Sequence, residues 1–108
     1  MTTHSDLDAR SLALHRLAVQ KVRDDPSLLS IVSKNLLHWQ DTVCPGTQAY
    51  LEQWADALSS GEQTILELAV EESENANILR QCSPFAGVLD HSERFSFLKN
   101  WRENHDSL

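Results

Sequence analysis

The stretch PSLLSIVSKNLLHWQ, residues 26–40, decides how the chain reads. Leu29, Val32, Leu36 and Trp39 recur at spacings of three and four, and Val43 continues the series. They therefore share one face of a helix. Leu28, Ile31 and Leu37 broaden that face, which predicts packing on two sides and a central place in the fold. Just upstream, Asp24-Asp25-Pro26 stops one helix and starts another. Asp25 can cap the new amino terminus, and Pro26 fits the first turn, where its missing N–H costs nothing. The spacing predicts a helix over 26–42.

Outward from this helix the same logic predicts five more. One spans about 7–23, with Ser5 as N-cap and Leu7, Leu14, Ala18 and Val22 as its stripe, widened by Leu17. Cys44-Pro45-Gly46 breaks the pattern, and Thr47 can cap a helix to about residue 59 that packs through Tyr50 or Leu51, Trp54 and Leu58. Gly61 suits the left-handed position after it. A short helix over 62–71 offers Ile65, Leu66, Leu68 and Ala69, and another from near Ser73 to Gln81 offers Ile78 and Leu79. Asp90 and Glu93 form a D-x-x-E capping box for a last helix to about Asn104, with Phe95, Leu98 and Trp101 as its apolar residues and Phe97 off the stripe.

The expected fold is all-α, a compact single-domain bundle of about five to six short helices over 1–108, ordered from about 5 to 104 with frayed ends. Composition agrees: 108 residues, 41% hydrophobic and 23% charged, with 3 Gly and 3 Pro, fit one folded domain and little strand. No apolar run approaches a membrane span and no signal-peptide pattern opens the chain, so a cytoplasmic protein is expected. In that compartment Cys44 and Cys82 are expected reduced, as small buried hydrophobes rather than a disulfide.

Charge is unevenly spread. The first 23 residues carry net +2, residues 24–79 carry −9 and the rest balance, for −7 in all. Glu62, Glu67, Glu71, Glu72 and Glu74 concentrate the acid. Such a face repels nucleic-acid phosphate and attracts a basic partner, or simply solvates the fold.

Chemistry-bearing patterns are sparse. His38 and Cys44, or Cys82 and His91, lack the spacing of a metal clip, and no metal or cofactor is expected. Cys82 and His91 flank LRQCSPFAGVL (79–89) and could approach one another, but no nucleophile elbow or glycine-rich oxyanion run accompanies them. No catalytic residue is assigned, and an enzyme is not expected. The run QWADALSSGEQTILELAV has a helix–turn–helix outline, yet Ser60, Glu62 and Glu67 stand where apolar residues lock such helices. Its second helix has no Arg or Lys for phosphate. Nucleic-acid binding by this chain alone is not expected. The basic first helix (Arg10, Arg16, Lys21, Arg23) leaves a small DNA-associated regulator as the alternative.

Protein binding remains. The segment 79–89 is greasy for a helix connection, which normally runs over the surface. It is either a plug across the bundle, tying the last helix to the central one, or in part an exposed contact. On the second reading the partner-binding residues are Arg80, Pro84, Phe85, Val88, Leu89, Arg94 and Trp101.

The order of features resembles a family of small bacterial helical proteins encoded beside toxin genes. The resemblance runs through HRLAVQKVRDDPSLL, HWQ, YLEQW, a short acidic helix and LRQCSPFAGVLDHSERF. It covers roughly residues 14–101, and an LRQ-x-SPFAG-x-L core before an arginine-bearing helix is its most specific part. It implies an antitoxin-like or accessory role, in which the chain masks a partner protein (a toxin encoded by an adjacent gene) with autoregulation open. It carries no catalytic residues. The acidic face would steer the chain to a basic partner, and whether it also forms a homodimer stays open.

Overall fold

The computed structural model describes residues 4–40 and 45–105. Six helices follow in order: α1 (His4–Asp24), α2 (Leu29–Gln40), α3 (Pro45–Ser60), α4 (Glu62–Ala69), α5 (Glu74–Gln81) and α6 (His91–His105). Among the described residues there is no strand, and the fold is an all-α single domain.

The starts and stops follow local chemistry. Asp25 accepts from the Ser27 N–H, and Pro26–Leu28 form a 3₁₀ turn before α2 begins at Leu29. Ser73 caps α5 by accepting from the Ala76 N–H at 3.1 Å. The Asp90–Glu93 box is reciprocal: the Glu93 N–H donates to Asp90 Oδ1 at 2.8 Å, and the Asp90 N–H to Glu93 Oε1 at 3.0 Å. Gly61 has φ +133° and acts as N-cap of α4, so it opens the next helix rather than closing the last in a left-handed turn. Ser5 and Thr47 lie inside α1 and α3 rather than capping them, because both helices start earlier than expected. Val43 and Cys44 lie outside the described residues.

The core is built from Val22, Val32, Leu51, Trp54, Ile65, Leu66 and Leu79, each 2% exposed or less. Trp54 satisfies its one donor by an Nε1–H bond to the Leu79 carbonyl at 3.1 Å, which ties α3 to α5. The hub is α1 rather than α2: it packs on α4, α5, α6 and the 3₁₀ turn, while α2 packs on that turn and α3. Leu7, Leu17, Leu37 and Ile78, expected in stripes, are 41–64% exposed because the neighbouring helices cover a narrower arc than the apolar residues offer. The Cα radius of gyration of 14.1 Å exceeds the about 13 Å of a fully compact chain this long. The helix least covered is α6, which rests mainly on α1.

The segment 83–89 crosses the bundle as a series of turns. Gly87 takes φ +91°, and a Cβ there would sit 3.6 Å from Ile31 Cγ2, so backbone strain rather than space demands glycine. Asn35 on α2 donates its amide to both the Pro84 and Ala86 carbonyls at 2.8 Å. The Phe85 ring lies edge-on between Trp54 and His15, with both centroid separations 5.9 Å. Replacing Phe85 by Ala should therefore lower unfolding stability by about 3–5 kcal/mol. Urea unfolding followed by circular dichroism checks this; a loss under about 1 kcal/mol would contradict a structural plug.

Candidate functional site

The residues expected to meet a partner divide into two groups. Arg80 is 4% exposed, Phe85 5% and Val88 1%, and Pro84 is fully buried. These four belong to the core, which corrects their expected place at a contact surface. The connection runs inward because Asn35 and Ser83 satisfy its backbone, so its apolar side chains can be buried without orphaned polar groups. Leu89 and Trp101 are half-buried and Arg94 is exposed, so these three remain accessible.

His15 on α1 joins the segment through a short polar chain. Its Nδ1–H donates to the Ser11 carbonyl at 2.7 Å, and that carbonyl can only accept. In the neutral ring Nε2 must then accept, and the Ser83 hydroxyl donates to it at 2.7 Å. Ser83 Oγ in turn accepts the Phe85 N–H at 3.1 Å. Burial, and to a lesser degree the charge of Arg80, pull the His15 pKa below its ordinary value, while the bond to Ser11 opposes them. His15 and Ser83 are 68 residues apart, so neither periodicity nor local spacing signals the pair.

Arg80 is buried and makes no ion pair with a carboxylate among the described residues. Its Nη1 donates to the Ala69 carbonyl at 3.2 Å and the Glu71 carbonyl at 2.8 Å, and Nη2 donates to Asn77 Oδ1. The Nε atom is buried and has no hydrogen-bond partner. Burial lowers the guanidinium pKa, with Asp8, Glu71 and Glu72 acting against it at longer range. Cys82 is free and half-buried, and burial pushes its thiol up, away from the thiolate a nucleophile needs. Among the described residues no group of three or more His, Cys, Asp or Glu side chains could hold a metal ion.

Beside the His15–Ser83 pair lies a cleft of about 610 Å³, within the size range of small-molecule sites. Leu14, Ala18 and Leu89 give it apolar lining, and Arg80 and Arg94 line it with positive charge. A second, shallow depression runs along α6 beside His91, Arg94, Phe95 and Leu98. Phe95, expected among the packed apolar residues of α6, is instead 69% exposed. Phe97 and Trp101 stack on each other with centroids 6.0 Å apart, a pairing set by their i, i+4 spacing.

Glu62, Glu67, Glu71, Glu72 and Glu74 are all exposed. Glu72 pairs with Arg16 at 2.8 Å, and Glu93 pairs with Lys21. Two of the four basic side chains of α1 are thus engaged by the fold's own carboxylates. No described helix is long and apolar enough to cross a membrane. Comparison with family models, curated proteins and solved structures finds no match to this chain.

Neutral His15 makes the fold sensitive to acid. Its folded pKa lies below the unfolded value of about 6.5, so the unfolded chain binds more protons in between. The contribution is complete above about pH 6.5 and is lost as pH falls from there through the lower folded value. The urea midpoint should drop between about pH 7.5 and about pH 5, and His15→Gln should flatten that drop. Equal pH dependence in the two proteins would rule out His15 as its source.

Proposed function

We propose that this chain is a non-catalytic, cytoplasmic protein-binding module of the antitoxin or accessory kind, and that it meets its partner through the outward face of α6. The observation that carries this reading is Phe95, a large ring 69% exposed on the helix the fold covers least. Arg94 is exposed beside it, and Leu98 lines the same shallow depression. Aromatic residues and arginine are both enriched at protein interfaces relative to the rest of the surface.

The partner is a basic protein with an apolar pocket for Phe95. The exposed carboxylates of α4 and its flanking residues, with the net −9 of residues 24–79, favour encounter with positive charge. The buried part of the 83–89 segment acts indirectly, by fixing where α6 starts. Engagement of Arg16 and Lys21 by Glu72 and Glu93 weighs against α1 as a DNA-binding surface.

The test is co-expression with the product of the adjacent gene. Phe95→Asp should leave the unfolding free energy within about 0.5 kcal/mol of the native protein, since surface substitutions rarely do more. It should weaken capture of that product by at least about tenfold. Unchanged capture by the variant, or no capture by the native chain, would overturn the reading.

A further inference from the structure

We propose that the cleft beside the His15–Ser83 pair is a binding site for an apolar monocarboxylate, with the anionic end met by Arg80 and Arg94 and the apolar part lying on Leu14, Ala18 and Leu89. The cleft shares His91 and Arg94 with the depression along α6, but the binding proposed for it does not depend on a protein partner.

Charge is the first argument. The chain carries −7, yet Arg80 and Arg94 both line this cleft. Neither makes an ion pair among the described residues, and Arg94 has no described side-chain bond. Among the described residues Asp90 is the one carboxylate lining the cleft, and its Oδ1 is held by the Glu93 N–H at the start of α6, so the lining keeps a net positive charge.

Burial is the second. A guanidinium 4% exposed has lost its water, and carbonyl and amide oxygens replace only part of that hydration. The buried Nε has no hydrogen-bond partner among the described residues, so the charge of the guanidinium is incompletely compensated. A carboxylate matches the guanidinium in both charge and planar geometry. An apolar body matches the rest of the lining, because a strongly hydrated anion such as free phosphate gains nothing from Leu14, Ala18 and Leu89. The His15–Ser83–Phe85 chain of bonds holds the wall in place and is already satisfied, so it neither needs nor repels the ligand.

Octanoate is the probe and octan-1-ol its uncharged control, both added to the full native chain. Nuclear magnetic resonance should show saturable binding of octanoate at about 1 mM or tighter, with shifts of the His15 and His91 ring signals. Octan-1-ol should bind at least about tenfold more weakly. Arg94 is exposed, so Arg94→Gln should fold normally and weaken octanoate about fivefold or more. The uncharged Phe95→Ser should leave octanoate binding unchanged, because the Phe95 ring lines the depression along α6 and not this cleft. Absent saturation, equal binding of the alcohol, or sensitivity to Phe95→Ser in place of Arg94→Gln would each overturn the assignment.

Discussion

Phe85 is the residue around which the helices are arranged. Its ring meets His15 of α1 and Trp54 of α3, while the backbone on either side of it is gripped by Asn35 of α2. Trp54 is itself bonded to the last turn of α5. One ring thus senses the position of four helices. Burying it requires an irregular stretch of chain to enter the protein, where unpaired carbonyls and N–H groups are costly. Asn35 and Ser83 remove that cost, which makes two polar side chains as necessary to the core as the apolar ones.

The sequence is informative wherever the signal is local. Caps at Asp25 and the Asp90–Glu93 box depend on residues two to three apart and are recovered in the structure. The stripe of α2 likewise puts Val32 and Leu36 inside. The reading loses force where the answer depends on which helix covers which. Leu37 and Phe95 are apolar yet well exposed, and no pattern within α2 or α6 reveals that. Arg80 is the reverse case. Its charge suggests the surface, but carbonyls at Ala69 and Glu71 and the amide of Asn77 receive it inside. The His15–Ser83 bond joins positions that only the tertiary fold brings together.

Electrostatics and topology meet in α1. Lys21 reaches α6 through Glu93, and that same carboxylate accepts the Asp90 N–H. Arg16 reaches Glu72 in the connection after α4. The pair between Arg16 and Glu72 is well exposed, so its value lies in orientation more than in stability. Each such pair withdraws one acidic group with one basic group and leaves the net charge of the remaining surface unchanged. In the cleft, by contrast, Arg80 and Arg94 form no such pair among the described residues.

The plug also sets an order of events during synthesis. Its partners at His15, Asn35 and Trp54 leave the ribosome well before Phe85 does, with 51 residues separating Asn35 from Ala86. Local helices can form as they emerge, but the contact that binds them together waits for a late arrival and must close a long loop. Until then the nascent chain carries an open, apolar socket between α1 and α3. Chaperones that shield such surfaces would have their longest opportunity here, in the interval before residues 83–89 are made.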